Sequence, residues 1–290
     1  MSNRNEPKLT SLSASLRART VLIYVVVGLL ALLSIFPFYY MFINSSYSSY
    51  HILKQMNLLP GTIKQLVMNI KSLSGHPEFN FAIGFENSFI ISTSATFLSV
   101  YFSALTAYGI KVYQFKLRNA AFLFIMIVLM VPAQVSITGF VTEMMSMNLI
   151  GTKWPLIIPA LAAPGVVFFI KQYLDSSLSL DIIEASRIDG ANEFYTFNRI
   201  CLPIMIPALA TQAIFSYVAN WNNFFTPSII LSRLQDKTLP LMVYGLYSDR
   251  FTDYGQVFAG LSISVLPLIV VYLFLQRYII QGVSAGSVKE

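Results

Sequence analysis

The sequence predicts an all-α, polytopic membrane protein. Of its 290 residues, 56% are hydrophobic and only 11% are charged, whereas soluble domains are about 45–50% apolar and about 25% charged. The mean hydropathy is +0.65, and long stretches without a charged residue recur along the chain. Because a bilayer core needs roughly 20 helical residues per crossing, the length leaves room for about six spans. The single cysteine, Cys201, excludes an internal disulfide.

Six charge-free apolar stretches follow one another along the chain. The first continues beyond the length of a signal peptide without a small-residue cleavage site, so it is predicted to be an uncleaved helix. Pro132 in the third stretch predicts a kinked or broken helix, and three further prolines predict the same for the fourth. The predicted spans are residues 21–43, 87–110, 119–141, 154–170, 204–231 and 257–275.

The distribution of Lys and Arg predicts the orientation of these spans. Loops that stay in the cytoplasm carry an excess of both residues. With six spans, twelve basic residues fall on the side that holds both termini, against seven on the other side. Both termini are therefore expected in the cytoplasm, and residues 44–86 are expected outside as a capping loop with short helices at most. The predicted parts are an N-terminal arm (1–20), one permease domain (21–280) and a C-terminal tail (281–290).

The spans lack the groups that most energy-coupled membrane proteins use. Ion- or proton-coupled carriers usually place ionisable residues within the membrane, and every charged residue here falls outside the six spans or at their ends. The phosphate-binding pattern G-x-x-x-x-G-K-[ST] is absent. The two histidines, His51 and His76, do not have metal-ligand spacing. The basic residues form no stripe, which argues against a nucleic-acid partner. Uphill transport would therefore need energy from another chain.

The connection between spans four and five, residues 171–203, is the longest mostly polar passage in this part of the chain. It predicts a helix, a break and a second helix. Asp181 is expected to cap the first helix with Glu184 as its capping-box partner, and Asp189-Gly190 is expected to end it, because glycine readily adopts the left-handed conformation.

The second helix of this elbow is expected to be short. Asn192 can cap it, and it should end near Ile200 because Pro203 disfavours helix in the residue before it. Arg187, in the first helix, offers a fork of donors for a partner carboxylate. From these residues alone, a plain surface hairpin that joins two spans is an equally good interpretation.

The spacing of this loop also resembles a known family pattern. Glu184-Ala185-Ser186, Gly190, Ile200 and Leu202-Pro203 reproduce the EAA loop of binding-protein-dependent ABC importer permeases, with Ser186 where the pattern has a second alanine. About the last 200 residues look like the maltose-type permeases of carbohydrate importers. The segments that carry this similarity are WPLIIPALAAPGVVFFIKQY, PALATQAIFSYVANWNNFFTPSIIL, TLPLMVYGLY and LFLQRYIIQGVSAGSVKE.

The resemblance implies a type I importer (MetI-like) architecture in the bacterial inner membrane. It implies a non-catalytic subunit that forms half of a sugar or oligosaccharide pathway and works by alternating access. The implied partners are a second, related permease chain, two cytoplasmic ATPase subunits that bind ATP and Mg²⁺, and an extracytoplasmic solute-binding protein. The residues implied to contact the ATPase are Glu184, Ala185, Ser186, Arg187, Asp189, Gly190, Ile200, Leu202 and Pro203 in the loop, and Gly282, Ala285, Gly286 and Lys289 in the tail.

Candidate substrate contacts lie in the fifth span, in Asn220-Trp221-Asn222-Asn223. Amides beside an aromatic face suit a sugar, but asparagines also join helices to one another in lipid, and both interpretations remain open. Two rival functions are an ion- or proton-coupled secondary carrier and an integral-membrane enzyme such as a sugar-lipid transferase. The enzyme would need acidic, histidine or metal groups together near the interface.

Overall fold

The computed structural model describes residues 9–132, 134–247 and 252–287, and within these ranges the chain forms helices and connections without a strand. Two 3₁₀ helices (Ile158–Leu161 and Leu234–Asp236) and a π-helical turn (Thr196–Cys201) accompany the α-helices. The α-helices are α1 (Leu9–Asn44), α2 (Ser49–Lys54), α3 (Ile63–Ser74), α4 (Phe81–Val112), α5 (Arg118–Leu129), α6 (Ile137–Ser146), α7 (Trp154–Ile157), α8 (Pro164–Ser177), α9 (Leu180–Ile188), α10 (Glu193–Tyr195), α11 (Leu202–Asn222), α12 (Phe225–Ile230), α13 (Leu239–Tyr244) and α14 (Tyr254–Ser287).

Five helical segments in the described ranges are long and apolar enough to cross a membrane. They coincide with the first, second, fourth, fifth and sixth predicted spans. The short helices expected between the first two spans are present as α2 and α3. The total of six spans and the orientation of the termini stay predictions. The five segments are Arg19–Asn44, Phe81–Val112, Trp154–Ser177, Glu193–Asn222 and Tyr254–Phe274.

The third predicted span is divided. Its first helix, α5, has 12 residues, or about 18 Å at 1.5 Å per residue, and α6 begins only at Ile137. Pro132 lies between the two helices and has no N–H to continue a helical ladder. The break predicted from this proline is confirmed.

The fourth span is also built from pieces, as its prolines predicted. Helix α7, the following 3₁₀ helix and α8 each carry a proline at their first or second position. Proline is tolerated there because the first N–H groups of a helix have no partner within it. These breaks lie where Pro155, Pro159 and Pro164 stand in the sequence.

The fifth span begins earlier and ends earlier than predicted. The expectation that the second elbow helix ends near Ile200 is wrong, because helix runs without a gap from Glu193 to Asn222. Pro203 cannot donate to the carbonyl four residues before it, and the π-helical turn at Thr196–Cys201 lies at this point. Helix then stops at Asn222 rather than continuing to residue 231. A separate helix, α12, begins at Phe225, and the Asn223 side chain accepts a hydrogen bond from the Thr226 N–H in its first turn (3.3 Å).

The last helix continues into the predicted tail. Helix α14 runs to Ser287, so the backbone at Gly282, Ala285 and Gly286 is helical. Pro267 lies inside this helix, but no proline follows it in the sequence, so nothing of that kind ends the helix before the tail. Lys289 lies outside the described residues.

The chain divides into two compact units. The first consists of residues up to Ser72 together with Asp253–Ser262. Within it, the Asn69 side-chain amide donates to the carbonyls of Ser45 (2.8 Å) and Tyr47 (2.9 Å), and the Ser49 hydroxyl donates to Asp253 (2.7 Å). Side-chain hydrogen bonds therefore fix the segment that follows α1.

The second unit, Leu73–Thr252 with Ile263–Glu290, contains the EAA-like loop. Its main core lies where α4, α8 and α11 meet the loop, and small residues on α4 let these helices approach closely. The buried members include Ala104, Ala107 and Tyr108 from α4, Ile170 and Leu174 from α8, Ile183 from α9, and Phe197, Cys201 and Met205 from the π-helical turn and α11.

Candidate functional site

The elbow between spans four and five begins at Ser179. The Ser179 hydroxyl accepts a hydrogen bond from the Asp181 N–H (3.3 Å) and donates to the Asp181 carboxylate (2.8 Å). The expectation that Asp181 caps the first helix is therefore wrong, because Asp181 lies in the first turn of α9. A carboxylate in the first turn still interacts favourably with the positive end of the helix.

The end of α9 has the geometry that Asp189-Gly190 predicted. Gly190 has a φ of +82°, and the N–H groups of Gly190 and Ala191 donate to the carbonyls of Arg187 (3.1 Å) and Ser186 (3.0 Å). This pair of bonds is a Schellman motif. The predicted cap at Asn192 is also confirmed, since its side chain accepts from the Tyr195 N–H (2.8 Å). The elbow is therefore a fixed turn between two capped helices.

Ser186 joins the two arms of the elbow from inside. It is 5% exposed, donates to the Ile183 carbonyl (2.8 Å) and lies 3.1 Å from the Thr196 hydroxyl. Its side chain therefore supports the elbow and does not face outward. Of the other residues implied to contact an ATPase, Ile200 and Leu202 are half-buried, and the exposed ones are Glu184, Ala185, Arg187, Asp189, Gly190 and Pro203.

The sequence interpretation missed the apolar residues at the tip of the elbow. Ile188 is 86% exposed and Phe194 is 75% exposed, one on each arm. A concave surface of about 750 Å³ lies beside them, lined by Ala185, Gly190 and Tyr195 among others. Large apolar side chains beside helix ends in a polar loop were the signal that could have revealed them. Such a patch is typical of a protein-binding surface.

Four side chains meet at the base of the elbow. Both carboxylate oxygens of Glu193 accept hydrogen bonds: Oε1 from Arg187 Nε (2.8 Å), and Oε2 from the hydroxyls of Tyr113 (2.6 Å) and Tyr108 (3.1 Å). The bond to Glu193 raises the pKa of Arg187. Burial and then Glu193 raise the pKa of Tyr113. Arg187 thus has an intramolecular partner, and its predicted role towards a partner carboxylate stays a prediction.

The four candidate substrate residues do not act as one group. Asn220 and Asn223 line a cavity of about 340 Å³ with Ser136, Phe140 and Thr226. Trp221 is 1% exposed, and its indole N–H donates to the Ser264 carbonyl (3.3 Å). Asn222 is exposed. Trp221 therefore packs within the unit and does not present a face for a sugar.

Residues of the broken fourth span line this cavity. Pro159 and Pro164 have no N–H to donate to the carbonyls of Pro155 and Ala160, four residues earlier. Both carbonyl-bearing residues line the cavity. Broken helices are tolerated at membrane depth where protein or a cavity satisfies the backbone. Among the described residues, no group of three or more His, Cys, Asp or Glu side chains could hold a metal ion.

Comparison with known proteins identifies the family. Residues 99–285 match the family of binding-protein-dependent transport system inner membrane components. The chain belongs to this family. It is 37% identical over 205 residues to the arabinooligosaccharides transport system permease protein AraQ of Halalkalibacterium halodurans, which covers 71% of this chain and 73% of AraQ. It is 30% identical over 266 residues to the lactose transport system permease protein LacG of Rhizobium radiobacter, which covers 92% of this chain and 95% of LacG.

The fold of this permease matches a solved transporter. A crystal structure of a bacterial ABC transporter involved in the import of the acidic polysaccharide alginate aligns with a TM-score of 0.75 at 20% identity, covering 96% of this chain and 100% of that chain. The permease fold expected from the resemblance is confirmed. The protein is a multi-pass ABC transporter permease of the inner membrane and a non-catalytic subunit, and the comparisons do not support a secondary carrier.

Proposed function

We propose that this permease forms one half of the pathway of an ABC importer for a neutral sugar or oligosaccharide. A second, related permease chain completes the pathway, and a solute-binding protein delivers the substrate from outside. Two cytoplasmic ATPase subunits bind ATP and Mg²⁺, while this chain carries no cofactor. Closure of the ATPase pair pushes the elbows together and turns the pathway outward.

The elbow is the observation that carries this proposal. Its arms are fixed to each other by the Schellman motif and by the buried Ser186–Thr196 contact, while Ile188 and Phe194 remain exposed at its tip. A rigid, capped elbow transmits displacement better than a flexible loop does. Its second arm passes without a gap into the fifth span, so movement at the tip reaches the membrane helices directly.

The chemistry of the cavity supports a neutral substrate. None of the residues that line it is charged, and Ser136, Asn220, Asn223 and Thr226 supply hydroxyl and amide groups. Sugars need such donors and acceptors for their hydroxyls, and Phe140 offers an apolar ring face. Arabinooligosaccharides and lactose, named for two relatives, are neutral. An anionic sugar pairs best with a cationic side chain, and none lines the cavity on this half of the pathway.

Purification from the native membrane tests the proposed assembly. A tagged chain should recover an ATPase and a second permease chain in fixed stoichiometry, identified by mass spectrometry. Reconstituted with its binding protein, the complex should take up solute when ATP is supplied, and collapse of the proton gradient should have no effect. A chain that transports alone, or uptake that follows the proton gradient, would contradict the proposal.

A competition assay tests the substrate class separately. Neutral arabino-oligosaccharides should inhibit ATP-driven uptake, and uronic-acid oligosaccharides of the same length should not. Preference for the acidic oligosaccharides would show that the uncharged cavity is not where the substrate is selected.

A further inference from the structure

The Glu193 cluster, defined as Glu193 with Arg187, Tyr108 and Tyr113, connects three elements of the second unit. Arg187 lies on α9, Glu193 starts α10, and the two tyrosines lie at the end of α4 and just beyond it. The Glu193 carboxylate, on the second arm, therefore binds Arg187 on the first arm and the two tyrosines at the end of α4. The chain does not join this membrane-spanning helix to the elbow directly. The three hydrogen bonds are 2.6–3.1 Å long.

Aromatic packing reinforces the cluster. The Arg187 guanidinium lies over the Tyr113 ring, 5.7 Å from its centroid, and the Tyr108 ring contacts that of Tyr113 edge-on at 6.1 Å. Tyr108 also contacts Phe197 on the second arm, at 5.3 Å between centroids. The cluster thus merges with the core beneath the elbow and is more than a surface ion pair.

The burial of Tyr108 separates this cluster from an ordinary surface salt bridge. The Arg187–Glu193 pair is itself partly exposed, with side-chain exposures of 39% and 44%, and such a pair alone contributes little. Tyr108 is only 2% exposed, and a buried hydroxyl needs a hydrogen-bond partner. Glu193 is that partner, so its loss would leave a buried polar group without its acceptor.

We propose that Glu193 is a positioning residue that fixes the elbow to α4, so that displacement of the elbow moves the second span together with the fifth. This inference rests on the proposed coupling function of the elbow. The chain links the elbow only to α8 and α11. The elbow also packs on α4 through Ile183 and Phe197 in the shared core, and the Tyr101 hydroxyl donates to Asn198 on the second arm (3.2 Å). The cluster adds the hydrogen bonds that tie the first arm, through Arg187 and Glu193, to the end of α4, and without them only the core packing and the Tyr101–Asn198 bond hold the elbow there.

The test uses the complete complex, reconstituted with its binding protein, and measures a radiolabelled neutral arabino-oligosaccharide as the solute taken up per ATP hydrolysed. Glu193→Gln keeps the shape of the side chain but removes the charge that Arg187 and both tyrosines bind. We expect assembly and ATP hydrolysis to persist while solute per ATP falls several-fold, because ATPase closure then moves the elbow without moving α4 to the same extent. Asp181→Asn, the same change of charge on exposed α9, is the matched control and should keep the wild-type ratio.

A second variant covers failure of the first to fold. Tyr113→Phe removes one hydroxyl at the exposed edge of the cluster and should lower solute per ATP by a smaller factor than Glu193→Gln, because Arg187 and Tyr108 keep their bonds to Glu193. A purely structural role would lower the amount of assembled complex and leave the ratio per complex unchanged.

The outcomes separate this inference from the proposed function. If the wild-type complex shows no ATP-driven uptake, the proposed function itself fails. The deciding variant is Glu193→Gln, or Tyr113→Phe if Glu193→Gln does not assemble. If the wild type is coupled and the deciding variant keeps the full ratio of solute to ATP, the positioning role of Glu193 is overturned. A reduced ratio in the deciding variant with an unchanged Asp181→Asn control supports it.

Discussion

At the scale of single residues, Gly190 decides the angle of the elbow. Its φ of +82° lies in the left-handed region, and a Cβ added there would meet nothing within 4 Å. The requirement for glycine is therefore conformational and does not come from crowding. A side chain costs about 1–2 kcal/mol in this conformation, and a β-branched one is disfavoured further.

Gly190→Val should weaken the elbow, whereas Gly190→Asn should largely preserve it, because asparagine enters the left-handed region more readily than other side chains. We expect the valine variant to insert into the membrane in normal amounts but to recover several-fold less ATPase in co-purification. Equal recovery with both variants would show that the bend at Gly190 does not determine docking.

Asn220 is the residue at which a substrate contact can be separated from helix packing. Its amide donates to the Ser216 carbonyl within its own helix (2.8 Å) while the residue lines the cavity. Asn220→Ala should raise the KM for uptake about fivefold, which corresponds to about 1 kcal/mol for one hydrogen bond, with little change in kcat. Ser228→Ala, at an exposed position on α12, is the control. An unchanged KM with lower complex stability would assign Asn220 to packing.

At the scale of elements, sequence patterns predicted where helices exist better than where they end. The prolines at 132, 155, 159 and 164 marked real breaks, because a missing N–H acts locally whatever surrounds it. Pro203 did not mark one, since the π-helical turn at Thr196–Cys201 lies before it. The cap at Ser179 was missed in favour of Asp181 because both residue types favour that position. The local sequence does not distinguish Ser179 from Asp181 as the cap. The structure does, because the Ser179 hydroxyl accepts a hydrogen bond from the Asp181 N–H.

The ion pair between Glu78 and Lys237 joins the segment before α4 to the segment before α13. The hydrogen bond from Lys237, followed by its charge, lowers the pKa of Glu78 from the usual 4.5. A carboxyl whose pKa is lowered by folding stabilises the folded state at pH values above its ordinary, unfolded-state pKa. That contribution is lost as the pH falls through the folded-state pKa. Because Glu78 is 48% exposed, the pair contributes about 0.5 kcal/mol at most.

Lys237→Met should therefore lower the melting temperature of the detergent-purified protein by about 1–2 °C at pH 7. The difference from wild type should shrink as the pH is lowered through and below 4.5, and also in about 1 M salt, where exposed charges are screened. A difference that persists at low pH and high salt would mean that the lysine stem, and not its charge, supports the fold.

At the scale of the whole molecule, composition predicted the class and the family pattern predicted the fold. The hydrophobic content excluded a soluble protein because the total apolar content of a chain reflects the surroundings in which it folds. This property can be read without knowing which residues contact each other. The Glu193 cluster could not be predicted, since Tyr108 and Tyr113 lie about 80 residues before Glu193 and no local pattern connects them. The division of the third span into α5 and α6 leaves the number of crossings and the orientation as predictions.

Cysteine labelling tests the predicted orientation. Cys201, the only cysteine, is buried, and Cys201→Ala gives a cysteine-free background. A membrane-impermeant maleimide should label Lys64→Cys in intact cells, because residues 44–86 are predicted to lie outside. Lys116→Cys, a matched exposed lysine in the loop after α4, should react only after permeabilisation. The reverse pattern would invert the orientation.

Met147→Cys extends the same test to the number of spans. Met147 is exposed directly after α6, and with six spans it lies on the same side as Lys64. Labelling from outside would show that α5 and α6 together carry the chain across the bilayer even though α5 alone is too short. If the maleimide labels Met147→Cys only after permeabilisation, as expected for Lys116→Cys, the α5–α6 segment returns to the cytoplasmic side. The prediction of six spans would then be wrong.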